Sequence, residues 1–294
     1  MNETLAFPKA PSLHAWRPML HTVSARLGYI ASSEGRPVNY MYDPPEGVTK
    51  ENCEYDFRDV RIADARRLTL STSVHSEGFE LWSAPSSVLN FQDQDEISRT
   101  YYAECVELAC AATGGSSAFV FDHLLRKREA GRPPLTFGRS GDGSQPGSVG
   151  RVHNDYTDAS GQRRLGLVLR DAERAATVRR FCVVNIWRSV KGPIVDTPLA
   201  VCDARTVFAR DLVASDIRYP DRTGEIYLFE HSDRHRWYYY PEMDRHEALV
   251  FKQYDSQVSG VARFTPHAAF DLPDIPSDAP LRESIEVRCL VTFD

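Results

Sequence analysis

The chain lacks the sequence features of several protein classes. None of its six cysteines forms a Cys-x-x-Cys pair, which argues against a zinc ribbon and favours buried free thiols in a reducing compartment. No stretch approaches the roughly 18–20 apolar residues that span a bilayer. No basic segment followed by an apolar one opens the chain, so no signal peptide is expected. We therefore expect a cytoplasmic protein with no membrane partner.

Positive charge is scarcer than negative charge. The 35 Lys and Arg residues are outnumbered by 41 Asp and Glu residues, which gives a net charge of −6. A nucleic-acid-binding protein usually presents a basic face, so we expect no nucleic-acid partner. No glycine-rich loop of the kind that binds S-adenosylmethionine follows an early strand, which argues against methyl transfer. A small-molecule substrate and a monomeric or homodimeric protein are expected.

Short strand-like runs separated by Gly, Pro and Asp turns dominate the chain. This pattern predicts strands at 40–42, 68–72, 117–121, 180–187, 199–202, 225–229, 237–240, 248–254, 262–264 and 284–293. Helices are predicted at 94–112, where apolar residues recur at helical spacing, and at 167–179. The prediction is a mainly β fold with flanking helices (α+β). Its core is a double-stranded β-helix, that is, a cupin-like jelly roll.

Residues 1–294 are expected to form a single domain. The strands and loops of residues 1–92 are predicted to pack on its core. Residues 131–150 are rich in Gly and Pro and directly precede a candidate metal ligand. Long loops inside a compact domain are usually functional or disordered. We favour a flexible active-site loop at 131–150 over a linker.

His153 and Asp155 form the first part of a candidate metal site. Side chains at positions i and i+2 of a strand point to the same face, so both can bind one metal ion if this stretch is extended. Two His and one carboxylate, with open positions, form the ligand set of non-heme Fe(II) oxygenases. A His-x-Asp pair alone also arises by chance in surface turns, so the third ligand is decisive.

Two histidines compete for the role of third ligand, His267 and His235. In a double-stranded β-helix, an acidic and apolar strand precedes the distal histidine, and an Arg-bearing strand follows it. Residues 247–251 fit the first strand and residues 284–291 fit the second, with His267 between them. We therefore favour His267 and keep His235 as the alternative, while a structural histidine is the competing interpretation for both.

A 2-oxoglutarate cosubstrate needs a cation for its distal carboxylate, and the planar fork of arginine suits that role. Arg282 and Arg288 both follow His267. Arg282 is favoured, because Glu286 shares a strand face with Arg288 and can form a structural ion pair with it. Tyr238 and Tyr240 share one face of a predicted strand, where they either donate hydroxyls to the cosubstrate or belong to the core.

Further polar residues in this β context have two open interpretations. Asn185 and Arg188 either line the pocket or satisfy buried backbone groups. Asp122, His123 and Arg126 are candidates for contact with the substrate.

Several blocks of sequence, in order, resemble the hydroxylase/desaturase family of non-heme Fe(II)/2-oxoglutarate oxygenases. This fungal and bacterial group includes gibberellin desaturase-like, aspergillic-acid hydroxylase-like and cephamycin 7α-methoxylase-like proteins. The resemblance covers most of the chain from about residue 25 onward. It is carried by residues 152–157, 185–188, 198–203, 235–239, 251–256, 266–270 and 282–288.

The resemblance implies Fe(II), 2-oxoglutarate and O₂ as cofactors, with iron on His153, Asp155 and His267. It also implies hydroxylation or desaturation of an unactivated C–H position in a small natural product. Two alternatives use the same residues differently. One is a cupin-like metalloenzyme that does not use 2-oxoglutarate, and the other is a non-catalytic β-barrel that binds a small molecule.

Overall fold

A computed structural model of the chain describes residues 21–128, 150–273 and 275–293. Within them the strands are β1 (Thr22–Ser33), β2 (Val38–Tyr40), β3 (Cys53–Asp64), β4 (Phe79–Ser83), β5 (Ser117–Lys127), β6 (His153–Asn154), β7 (Arg180–Ser189), β8 (Leu199–Cys202), β9 (Leu212–Arg218), β10 (Thr223–Phe229), β11 (Trp237–Tyr239), β12 (Glu247–Asp255), β13 (His267–Ala269) and β14 (Glu283–Phe293). The α-helices are α1 (Gln94–Glu96), α2 (Tyr102–Thr113), α3 (Asp158–Leu169) and α4 (Ala172–Thr177).

The strands form two sheets that face each other. One has nine strands in the order β1-β3-β11-β8-β13-β6-β10-β9-β2, and the other has five in the order β4-β12-β7-β14-β5. Leu199 and Val201 of the larger sheet pack in one buried cluster with Leu249 and Phe251 of the smaller sheet. Side chains alternate between the faces of a strand, so these residues define the interior between the sheets. The mainly β jelly roll predicted from the sequence is confirmed.

Each sheet also has an outer face that must be covered. Apolar side chains of the helical segment, among them Ile97 and Cys105, pack on outward-facing residues of β7 and β14 such as Val184 and Val287. On the outer face of the larger sheet, side chains of its own strands β1 and β3 pack with those of β8, β11 and β13, and the Trp237 indole N–H donates to the Tyr29 hydroxyl at 2.8 Å. Apolar side chains therefore pack on the outer face of each sheet, and the interior lies between the two sheets.

The predicted helix at 94–112 is confirmed, with one interruption. The Asp93 side chain accepts from two backbone N–H groups of the first turn, and Gly114 ends the helix in the left-handed conformation at φ 70°. A π-helical turn, Ile97–Tyr101, separates α1 from α2. Glycine commonly occupies the left-handed position at the end of a helix, and this is why the sequence predicted this boundary.

The helix predicted at 167–179 is confirmed only in part, because residues 167–169 and 172–177 belong to two separate helices. The first helix begins at Asp158, behind a Thr157 capping box with Ser160, and ends where Arg170 adopts φ 53°. Asp171 then caps a second short helix, α4. The capping residues set these boundaries, whereas the prediction followed composition alone.

Several strand predictions also need correction. Residues 68–72 and 262–264 form no strand, and no strand was predicted at the positions of β1, β3, β4, β6, β9 and β13. Leu70 is 81% exposed, so the alternation at 68–72 does not mark a half-buried strand. The N-terminal strands β1 to β3 belong to the nine-stranded sheet itself and do not merely pack on the core.

Three further predictions have different outcomes. All six cysteines lie within the described residues and are free thiols, as expected. No helix in the described ranges has the length and apolar character needed to cross a membrane. The loop predicted at 131–150 lies outside the described residues except for its last residue, and the single-domain assignment stays a prediction.

Candidate metal centre

His153 and His267 lie directly opposite each other on neighbouring antiparallel strands of the larger sheet. His153 begins β6, His267 begins β13, and the two are register partners. Their ring centroids are 4.3 Å apart. Asp155 follows β6 by one residue, and one ligand atom from each of these three side chains lies within 4.8 Å of the others. In the described part of the chain, no other three His, Cys, Asp or Glu side chains meet this criterion.

Backbone carbonyls fix the orientation of both imidazoles. The Nδ1 atom of His153 lies 2.8 Å from the Arg151 carbonyl oxygen, and the Nδ1 atom of His267 lies 3.2 Å from that of Thr265. A carbonyl only accepts, so each Nδ1 donates, and in a neutral ring this places the remaining lone pair on Nε2. Burial lowers the pKa of His153 to about 3 and that of His267 to about 4. Both rings are therefore neutral near pH 7, the form that binds metal ions.

Asp155 supplies a carboxylate that stays ionised in a buried site. Burial by itself raises the pKa of this carboxyl, but the Arg288 guanidinium and the two imidazoles hold it well below its usual range. Its Oδ1 atom lies 3.7 Å from Nε2 of His153. Two neutral nitrogen donors and one anionic oxygen donor fit the 2-His-1-carboxylate set of Fe(II).

His235, the alternative third ligand, is in a different part of the fold. Its Nε2 atom lies 3.3 Å from Asp211, and its ring stacks on Tyr29 at 5.8 Å between centroids. Tyr29 belongs to the cluster on the outer face of the larger sheet. The structure thus brings His267, and not His235, beside His153 and Asp155.

A small cavity adjoins the two facing histidines. Its remaining lining residues are Arg126, Trp187, Leu199, Ala269, Arg282 and Glu286. Arg282 is 2% exposed, its Nη1 donates to the Thr197 carbonyl at 2.8 Å, and its Nε has no hydrogen-bond partner in the described residues. Burial, followed by repulsion from Arg126, lowers the pKa of Arg282 to about 9, so the group remains a cation near pH 7. A buried cation with an unsatisfied N–H suits a bound carboxylate.

Arg288, the other candidate anchor, is fully engaged by carboxylates. Its Nε donates to Asp155 at 2.9 Å, its Nη1 to Asp122 at 2.7 Å and its Nη2 to Glu286 at 2.8 Å. The ion pair with Glu286 that the shared strand face suggested is therefore present. These contacts favour Arg282 over Arg288 as the group that receives a cosubstrate.

The two tyrosines predicted to contact the cosubstrate have the contacts of interior aromatic residues. The Tyr240 hydroxyl bonds that of Thr72 at 2.9 Å, and the Tyr238 ring lies 5.8 Å from that of Phe79. Neither tyrosine lines the cavity that contains Arg282. Their cosubstrate role stays a prediction without support from these contacts.

Of the remaining polar candidates, Asn185 contacts the candidate metal site, whereas Arg188 and His123 bond other partners. Asn185 donates from Nδ2 to Asp155 at 2.8 Å, so it belongs to the site. Arg188 instead bonds the backbone carbonyls of Ala84 and Arg245 and the Tyr101 hydroxyl on the outer face of the smaller sheet. His123 bonds Tyr102 and Gln94.

Sequence reasoning assigned no role to Asn154 or Gln253. The Asn154 side chain accepts from the Thr265 backbone N–H at 3.1 Å and donates to two buried carbonyls. Gln253 accepts the Asp155 backbone N–H at 2.8 Å. Both residues lie inside blocks that carried the family resemblance, and that was the one available signal.

Comparison with protein-family models and known proteins gives a consistent result. Residues 27–292 match the family model YDMC, described as an oxidoreductase/YMDC permease-like domain. The chain is 30% identical over 285 residues to the hydroxylase/desaturase CTB9 of Cercospora beticola, covering 87% of this chain and 86% of that protein. It is 31% identical over 260 residues to the Fe(II)/2-oxoglutarate-dependent dioxygenase nvfI of Aspergillus novofumigatus, covering 86% and 89%.

A solved structure extends the likeness to three dimensions. The iron and alpha-ketoglutarate-dependent endoperoxidase NvfI superposes with a TM-score of 0.80 at 26% identity, over 92% of this chain and 98% of that chain. The similarity thus covers both sheets and the strands that carry the three candidate ligands.

Proposed function

Because the chain belongs to the family of Fe(II)/2-oxoglutarate-dependent hydroxylases and desaturases, we propose that His153, Asp155 and His267 hold its iron and that Arg282 anchors 2-oxoglutarate. The protein is a non-heme iron dioxygenase that uses Fe(II), 2-oxoglutarate and O₂. Bound iron and cosubstrate would supply the oxidant for an unactivated C–H bond. The protein's own residues position and shield that chemistry.

The observation that carries the proposal is the direct pairing of His153 with His267 across β6 and β13. Both Nδ1 atoms lie within hydrogen-bonding distance of backbone carbonyls, of Arg151 and of Thr265. One ligand atom of each histidine and of Asp155 lies within 4.8 Å of the others, and Asp155 adds the negative charge that Fe(II) needs. Such outer hydrogen bonds are typical of metal-binding histidines.

Arg282 is proposed to receive the distal carboxylate of 2-oxoglutarate. It lies in the cavity that His153 and His267 also line, and its Nε is unsatisfied within the described residues. Trp187 forms a wall of the same cavity, with the Arg282 guanidinium carbon 5.4 Å from the centre of its ring. A buried wall of this kind excludes water and strengthens the pairing of guanidinium and carboxylate.

The substrate is proposed to be a small natural product. Similar proteins include Aspirochlorine biosynthesis protein N of Aspergillus oryzae, at 38% identity over 118 residues, besides the hydroxylase/desaturases. The names of the hydroxylase/desaturase relatives support hydroxylation or desaturation of a C–H position, whereas the solved relative NvfI is named an endoperoxidase. Succinate release that depends on such a substrate would distinguish this function from a cupin-like enzyme without 2-oxoglutarate.

A metal titration combined with a turnover assay tests the proposal. The purified protein should bind one Fe(II), or Co(II) as a substitute, per chain, and should release succinate from 2-oxoglutarate only when metal is present. His153→Ala and His267→Ala should lose both properties. His235→Ala is the matched control and should keep metal binding. Retention of metal by His267→Ala together with its loss in His235→Ala would overturn the ligand assignment.

A further inference from the structure

The two oxygens of the Asp155 carboxylate have different surroundings. Oδ2 accepts the Asn185 Nδ2–H at 2.8 Å and the Arg288 Nε–H at 2.9 Å. Oδ1 lies on the side of His153, 3.7 Å from its Nε2 atom. A hydrogen bond from an ionised donor to a carboxylate is about twice as strong as a neutral one, so Oδ2 is firmly held by these two donors.

The two donors belong to one row of side chains across the smaller sheet. Arg288 of β14 is the register partner of Asn185 on β7 and of Asp122 on β5. Register partners share a sheet face, so all three side chains lie on the face toward the histidine-bearing strands, with Asp122 exposed at its edge. The row therefore runs across the sheet that faces the histidine-bearing strands.

Arg288 has little freedom to leave this position. Each of its three nitrogens donates to a different carboxylate, with Asp122 and Glu286 completing the set begun by Asp155. Moving the guanidinium would take this partner away from the buried Glu286 and from the largely buried Asp155. Asn185 is equally constrained, since its side chain has no exposed surface.

We propose that Asn185 and Arg288 are positioning residues that make Asp155 a monodentate ligand through Oδ1. The inference rests on the proposed metal site and deepens it. A carboxylate that bound through both oxygens would occupy one more coordination position. With Oδ2 held by Asn185 and Arg288, that position stays open for 2-oxoglutarate and O₂, which this ligand set requires.

Substitutions of the two donors test this role. Co(II) absorption spectra report the coordination geometry directly, so the wild type, Asn185→Ala, Arg288→Gln and Arg288→Lys are titrated with Co(II) in the absence of turnover. Removing an outer hydrogen bond to a metal ligand typically weakens metal affinity 10- to 100-fold. We expect losses in that range, with an altered spectrum, for Asn185→Ala and Arg288→Gln. Arg288→Lys keeps the charge and should recover part of the affinity.

Arg188→Gln is the matched control. Arg188 is also a buried arginine of the smaller sheet, but its contacts are Tyr101, Ala84 and Arg245 on the outer face. Its substitution should lower thermal stability and leave the Co(II) affinity and spectrum unchanged. This separates a loss of positioning from a general loss of packing.

The outcomes distinguish this inference from the proposed function. Wild-type affinity and spectrum in Asn185→Ala and in both Arg288 variants would overturn the positioning role and leave the metal site standing. Absence of a stoichiometric Co(II) site in the wild type would overturn the metal site itself. If Arg288→Gln fails to fold, Asn185→Ala and Arg288→Lys decide the question, because both variants keep a positive charge at position 288 beside the three carboxylates.

Discussion

The Asn154 side chain accepts a hydrogen bond from the backbone N–H of Thr265 at 3.1 Å, which joins two segments that are far apart in the sequence. Asn154 lies between the ligands His153 and Asp155. The carbonyl of Thr265 in turn accepts from Nδ1 of His267. One amide side chain therefore couples the early half of the candidate iron site to the late half.

Asn154→Ala should lower both the stability of the protein and its affinity for metal. The amide also donates to the carbonyls of Tyr156 at 2.7 Å and Gln253 at 2.8 Å. Each buried group left without a partner costs about 1–3 kcal/mol, so we expect the free energy of unfolding to fall by roughly 3 kcal/mol. Urea unfolding with a chelator present measures this change without a contribution from metal. Asn154→Asp keeps the acceptor but places a buried carboxylate oxygen against two carbonyl oxygens, so it should destabilise the protein at least as much as alanine does.

Arg282→Ala should raise the KM for 2-oxoglutarate. A hydrogen bond to a charged group contributes about 1.5–3 kcal/mol, which corresponds to roughly a 10- to 100-fold change in affinity. Initial rates of succinate release, measured over a range of 2-oxoglutarate concentrations, give the KM. Arg282→Lys should show a smaller increase, because it keeps the charge but not the planar fork.

Arg66→Ala provides the control for this prediction. Arg66 pairs with Glu247 away from the cavity, so the KM for 2-oxoglutarate should not change. An Arg282→Ala variant with the wild-type KM would exclude Arg282 as the anchor.

Lys252→Met should destabilise the protein most at neutral pH. Lys252 and Asp255 have no exposed side-chain surface and are 2.7 Å apart, and Arg180 also bonds Asp255. Removing one member of a buried ion pair costs about 3–5 kcal/mol, and we expect about 3 kcal/mol because Arg180 remains. The free energy of unfolding at pH 7 checks this value. Lys191→Met, which removes an exposed lysine paired with Glu283, should have little effect.

The same pair predicts how the difference changes with pH. Burial raises the pKa of Asp255, but the hydrogen bond from Arg180 and the charge of Lys252 bring it below its usual value. The folded state therefore binds the proton less tightly than the unfolded state, and its stabilisation is present above an unfolded pKa of about 3.9. It is lost as the pH falls through the folded pKa. The gap between the wild type and Lys252→Met should narrow below about pH 4; a constant gap would contradict the assignment.

The sequence indicated which three side chains lie together better than it indicated where the helices and strands begin and end. His153 and Asp155 were recognisable because a two-residue spacing on a strand places both on one face. His267 followed from the order of strands around it. The contacts of Arg288 with Asp122 and Asn185 depend on register between strands, which a single sequence does not specify before the turns are known.

Two of the missed strands, β6 and β13, could not be recognised in the sequence because they are very short. β13 has three residues and β6 has two, too few for any alternation to be visible. They are strands because their neighbours in the sheet supply hydrogen-bond partners on both sides. Helix α3 was displaced in the prediction because Thr157, its cap, was not weighed against the Arg- and Ala-rich composition that follows.

Two glycines of α3 provide a matched test of how this helix packs. A methyl group at Gly161 would approach the Tyr254 ring to 2.4 Å, whereas nothing lies within 4 Å of one at Gly166. Overpacking costs about 1–3 kcal/mol, so Gly161→Ala should lower the free energy of unfolding by that amount. Gly166→Ala should raise it by up to about 1 kcal/mol, because alanine favours a helix more than glycine does. Urea unfolding of both variants measures the two changes, and equal effects at the two positions would show that α3 does not approach Tyr254 through Gly161.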